Sequence, residues 1–153
     1  MIQRIQTLYL LLVVILSSIT LFSPVADFMG EEKLYTLTYK GVSVLENGQQ
    51  INVLNTWALT AISSIIPLVA LISIFLFKKR ILQIRLNVFN ALLMGGYYVL
   101  FFMYVWLIKE RFNVEATFHI PASFHLVNIV LTYLAIRGIG KDEALVRSFD
   151  RLR

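Results

Sequence analysis

Two histidines and an asparagine are where any chemistry in this chain would have to reside. His119 and His125 lie six residues apart across Pro121, and Asn128 follows His125 by about one helical turn. A metal site at that spacing needs further ligands converging from elsewhere, such as Glu110 or Glu115. The spacing does not supply them, so both histidines read as interfacial side chains with hydrogen-bond partners, and no metal is expected. The serines sit in no nucleophile motif, and no Gly-rich phosphate loop of the Walker or Rossmann pattern occurs. The absence of cysteine excludes structural disulfides, thiol redox chemistry and thiolate metal sites. No catalytic residue and no cofactor is therefore predicted.

His125 and Asn128 carry a different expectation. Both fall within an apolar run, and a polar pair sharing one face of such a run points into helix packing rather than at lipid. Asn87, Asn90 or the Ser63–Ser64 pair are the expected partners. The sharper alternative makes the pair part of a proton or solute path. Against ion-coupled transport, no Asp, Glu, Lys or Arg lies within the apolar interior of any predicted span.

The elements that position these residues follow from composition. Of the 153 residues, 58% are hydrophobic and only 15% charged, whereas soluble domains carry roughly 25% charge. The apolar residues gather in blocks of the ~20 needed to cross a bilayer. The fold class is read as membrane all-α: a four-transmembrane-helix bundle forming a single domain, with spans near 5–22, 57–77, 86–108 and 122–136. A cleaved signal sequence is the alternative for the first block, but its length and the membrane-embedded sequence after it favour a span. Lys78, Lys79, Arg80 and Arg85 place four cations within eight residues between the second and third blocks. Such a cluster stays in water on the side where positive charge is retained, giving a cytoplasmic loop over 78–85 with contacts to anionic lipid.

The remaining charges follow the same side. Arg4, Arg137, Lys141, Arg147, Arg151 and Arg153 join that cluster, while Lys33, Lys40, Lys109 and Arg111 on the other side are outnumbered by Asp27, Glu31, Glu32, Glu46, Glu110 and Glu115. Both termini are predicted inside. With the basic residues distributed by side, the net charge of +5 does not point to nucleic acid.

The outer loops, 24–55 and 109–121, have a different period. Lys33 to Lys40 alternates as a strand does, Asn47-Gly48 between Val42–Glu46 and Gln49–Leu54 signals a hairpin, and Val114 to Ile120 alternates again. A small extracytoplasmic antiparallel sheet shared by both loops is expected. Pro67 in the second block predicts a kinked helix, and Gly95-Gly96 in the third allows close backbone approach.

The tail over 137–153 includes KDEALVRSFDRLR. After a break at Gly140, Asp142 is placed to cap a short cytoplasmic amphipathic helix. Leu145, Phe149 and Leu152 form its apolar stripe, while Arg147 and Arg151 face lipid phosphates or a partner. With its opening Met1-Ile2-Gln3-Arg4-Ile5-Gln6-Thr7-Leu8-Tyr9 and its closing KDEALVRS, the chain resembles an uncharacterised family of four-span bacterial membrane proteins catalogued as a domain of unknown function. The resemblance runs the whole length and implies four spans, a cytoplasmic-membrane location and no assigned activity.

Function is read as a non-enzymatic membrane scaffold or assembly factor, presenting an outer β-cap and a basic inner tail. Membrane lipids and a membrane or cytoplasmic protein are its expected partners, and a homo-oligomer is compatible with them. A small transporter or channel component near His125 and Asn128, or a membrane enzyme acting on a lipid or quinone, are the alternatives.

Overall fold

The computed structural model describes residues 3–30, 33–46 and 49–150. The chain is mostly helical, with four long apolar helices and a small antiparallel sheet. The helices are α1 (Gln3–Phe22), α2 (Trp57–Phe75), α3 (Arg80–Phe112) and α4 (Phe124–Asp150), and a short 3-10 turn over Ile120–Ser123 leads into α4. All four helical segments are long and apolar enough to cross a membrane. α1 packs against α2 and α4, and α3 packs against the same two. Each helix buries a stripe stepping by three and four residues, such as Asn87, Asn90, Met94, Tyr97 and Phe101 on α3, the spacing that suits shallow crossing angles.

Two helices run further than their sequence suggests. The connection after α2 is a tight turn closed by Leu76 N–H to the Ser73 carbonyl at 3.2 Å and Lys79 N–H to the Leu76 carbonyl at 2.9 Å. Arg80 to Arg85 are therefore helical, and no loop spans 78–85. α4 continues through Gly138 and Gly140 to Asp150, so the tail has no separate capped helix. An interior glycine costs a helix only about 1 kcal/mol, too little to break one anchored on its neighbours. Gly138 also has a packing reason, because a Cβ there would lie 3.0 Å from Gln6 Cγ. Gly95, by contrast, has open space around it, and only Gly96 of that pair meets α2, at Ile62.

The sheet has five strands in the order β4-β3-β2-β1-β5: β1 (Ala26–Met29), β2 (Leu34–Thr38), β3 (Gly41–Glu46), β4 (Gln49–Leu54) and β5 (Glu115–Phe118). Alternation sends Ala26, Leu37 and Val42 to one face as a cross-strand row, with Phe28, Tyr35 and Val44 as the next. These rows bury against the end of α3, where Tyr35 and Phe112 have ring centroids 4.8 Å apart. Gly41 allows the β2–β3 turn. Its φ is +123°, and a Cβ would strike the Leu54 carbonyl oxygen, so no other residue fits without moving β4. The β3–β4 ladder closes at Glu46 opposite Gln49, around the Asn47-Gly48 connection that lies outside the described residues. The second outer loop does join the sheet, as expected, but its strand takes a different neighbour. β5 pairs with β1, not with the meander over 33–54, and β1 itself is a strand the periodicity did not single out.

Polarity is inverted across the helices. Ser17, Ser73, Asn87, Asn90, His125, Asn128 and Thr132 are fully buried, whereas Leu68, Phe75, Leu92, Val99, Phe102 and Val130 are all more than half exposed.

Candidate functional site

The buried polar residues of the helix interior form the first candidate. On α4, His125, Asn128 and Thr132 step down one buried face, and α3 buries Asn87 and Asn90. The His125 ring stacks on Tyr97 with centroids 4.2 Å apart. Tyr98 fixes the start of α4 from the side, its hydroxyl donating to the Ala122 carbonyl at 2.8 Å and accepting from Leu126 N–H at 3.0 Å. At the far end of the same helix pair, Arg80 Nη1 donates to the Asp142 carbonyl at 3.1 Å. Those two fixed points hold α3 and α4 antiparallel along their length.

Hydrogen bonding reaches only part of this set. Asn128 Nδ2 donates to Ser17 Oγ on α1 at 2.9 Å. Neither Asn87, Asn90 nor the Ser63–Ser64 pair is its partner, because those side chains lie on α2 and α3 while this face of Asn128 looks at α1. Asn87 is engaged instead by Ser73, whose Oγ donates to Asn87 Oδ1 at 2.9 Å, and Gln83 Nε2 donates to the Ser73 carbonyl at 3.0 Å. Both polar atoms of Asn90, both ring nitrogens of His125, Asn128 Oδ1 and Thr132 Oγ1 have no partner among the described residues. A buried group left so costs about 1–3 kcal/mol, which makes this row a concentrated expense in an otherwise apolar interior.

The histidines are not neighbours. His119 sits at the sheet end, where its N–H donates to the Val25 carbonyl at 3.1 Å and Nε2 lies 2.9 Å from Asp27 Oδ2. Glu115 belongs to β5, where it lies opposite Met29 of β1 in the ladder. Among the described residues no three His, Asp or Glu side chains converge as a metal site would require.

The end of the molecule opposite the sheet gathers the cations. Lys78, Lys79 and Arg85 are exposed and Arg80 is half-buried, around a groove of about 740 Å³ between the α2–α3 turn and α4. Asp142 does not cap a helix. Its carboxylate accepts from Gln6 Nε2 at 2.8 Å while its carbonyl accepts from Arg80, so one residue ties α1, α3 and α4 together. Spacing did not flag Gln6; its signal was Gly138, the gap that admits it. A second, smaller groove of about 210 Å³ beside Tyr9 contains Arg137 and Lys141. Of the predicted tail stripe, Leu145 is exposed on the last turns of α4. The side chains of Phe149 and Arg147, and all of Arg151 and Leu152, lie outside the described residues.

No curated protein matches the sequence. A model of a domain of unknown function, DUF4293, matches residues 2–152, nearly the entire length, and the chain belongs to that family.

Proposed function

We propose that the protein is a non-enzymatic integral membrane scaffold: a four-span bundle in the bacterial inner membrane, both termini cytoplasmic, that offers its outer sheet to a protein partner. The observation that carries this reading is the inverted polarity of the helices, with asparagines and a histidine inside and a girdle of Leu, Val and Phe outside. In water that arrangement would expose far more contiguous apolar surface than a soluble monomer tolerates. In hydrocarbon it is the expected one. The side assignment rests on the excess of cations at the turn end.

The scaffold role draws on the sheet. β1, β2 and β3 lean on the helices, but β4 is an edge strand whose Ile51 and Val53 are about 47% and 37% exposed. An apolar edge with unpaired backbone groups invites an added strand. Thr60 Oγ1 on α2 donates to the Tyr39 carbonyl at 2.6 Å, fastening the sheet to the span beside it. The test combines topology and partner dependence. Asn47→Cys and Ser148→Cys, introduced into a chain with no cysteine, should label from opposite sides of the membrane. Ile51→Asp should then release a partner that copurifies with the wild type, at unchanged melting temperature. Labelling of both cysteines from outside, or retention of the partner, overturns the respective half.

A second reading draws on the row of Asn90, His125, Asn128 and Thr132, whose polar atoms are unpartnered among the described residues apart from the Asn128 amide nitrogen, and which suits a proton or small-solute path. Reconstituted into vesicles holding a pH dye, a path would collapse an imposed gradient and lose that ability with Asn90→Leu. A scaffold leaves the gradient intact.

A further inference from the structure

The groove at the turn end is built for an anion that has a tail. Lys78, Lys79, Arg80 and Arg85 line it together, and four like charges on one wall repel one another. Their position adds to the expense: Arg80 opens α3, whose first turn carries no carboxylate, and cations at a helix N-terminus oppose the helix dipole. Glu143, across the groove on α4, is the one carboxylate among the described residues of its lining and offsets a single charge. A net excess of about three positive charges remains facing the opening.

The groove also has an apolar side. Phe77, Ile81, Leu82 and Val146 line it and are each between 43% and 51% exposed. These side chains continue the apolar girdle to the level of the cations. A soluble phosphate would use the cations and leave this surface wet, whereas a lipid uses both: phosphodiester on the ammonium and guanidinium groups, acyl chain along the apolar side chains. Arg80 is held in place by its bond to the Asp142 carbonyl, which gives the site one donor fixed by the backbone of α4.

We propose that this groove is a headgroup site for an anionic phospholipid of the leaflet that surrounds the turn end. The proposal rests on the membrane reading above and adds the ligand class and the residues that select it. Lys79 and Arg85 recognise the phosphate, the apolar neighbours receive the chain, and a zwitterionic lipid is discriminated against because its cationic group meets the same wall.

The experiment uses full-length protein, extracted in detergent and delipidated, titrated with phosphatidylglycerol or phosphatidylcholine and read by native mass spectrometry. Wild type should retain phosphatidylglycerol in preference to phosphatidylcholine. At ~1 kcal/mol for each basic residue near an anionic headgroup, Lys79→Gln with Arg85→Gln should weaken phosphatidylglycerol binding about thirtyfold. Both positions are exposed, so the fold should survive, and an unchanged melting temperature checks that. The control pair Arg137→Gln with Lys141→Gln removes the same charge from the smaller groove at the same end and should leave binding nearly unchanged. Equal loss from both pairs would reduce the effect to diffuse surface charge and overturn the site. Displacement by millimolar inorganic phosphate would reassign it to a soluble anion, and equal retention of the two lipids would end it. Failure of the membrane reading is separately visible, as extraction of the chain without detergent.

Discussion

At the sheet end the helices are joined by backbone, in ladders that run from β4 across to β5 and draw on both inter-helix segments. At the opposite end they are joined by side chains, and three of the helices meet at Asp142. The difference is one of redundancy. A ladder shares its load over many bonds whose positions are set by alternation and register, and losing one side chain leaves the others in place. A side-chain junction concentrates its load, but it leaves open grooves around itself that a ligand can enter. The closed end therefore suits presentation of a fixed surface, and the open end suits occupancy by small groups.

Four tests would break or sharpen that contrast. The largest effect is expected at Gly41, where a β-branched side chain meets both an unfavourable φ and the Leu54 carbonyl. Gly41→Val should cost ~3 kcal/mol and lower the melting temperature in detergent; a silent substitution would mean that the meander contributes little to the closed end. Between the ends, Ser17→Ala strands the buried Nδ2 of Asn128 and should cost about 1–2 kcal/mol. Combining it with Asn128→Leu should recover part of that loss, since the double variant leaves neither group unpaired; strict additivity in the cycle would show that the two do not interact. At the open end, Asp142→Ala removes the acceptor of Gln6 and should cost ~1 kcal/mol, while Asp142→Asn, which keeps an acceptor, should recover most of it. Equal melting temperatures for wild type and Asp142→Ala would show that the junction bears no load. The smallest change has the opposite sign. Nothing lies within 4 Å of a Cβ at Gly140, so Gly140→Ala should stabilise by ~0.8 kcal/mol through helix propensity alone, and a loss there would reveal a bend the protein needs.

The sequence was informative wherever a signal is local. Four apolar blocks, the alternation of β2, β3 and β5, and the polar residues His125 and Asn128 inside an apolar run each follow from side-chain type and spacing over a short window. β1 escaped because four residues after Pro24 are too few to establish a period, although Ala26 and Phe28 do alternate with Asp27 and Met29. The tail was misread for a physical reason. Glycine near a helix end is a frequent terminator, but Gly138 is there to admit Gln6 from a helix more than a hundred residues earlier, and no local window shows that approach. Ser17 as the partner of Asn128 was hidden in the same way, since the antiparallel register of α1 and α4 is a property of the packed helices. The cation cluster was visible as charge, but its division between a turn and the opening of α3 was not.

The position of β5 beside β1 also bears on the order in which the molecule can be made. Four of the five strands precede α2, and the fifth is synthesised only after α3. Until the last strand arrives, β1 keeps one row of N–H and C=O groups open, the kind of edge that recruits stray strands. On the membrane reading, β5 reaches that edge only after α3 has crossed. The ladder from Ala26–Phe118 to Met29–Glu115 then acts as a late clasp, available once α3 is in place. A chain arrested before α3 would carry that edge of β1 open, and the finished chain covers it with β5.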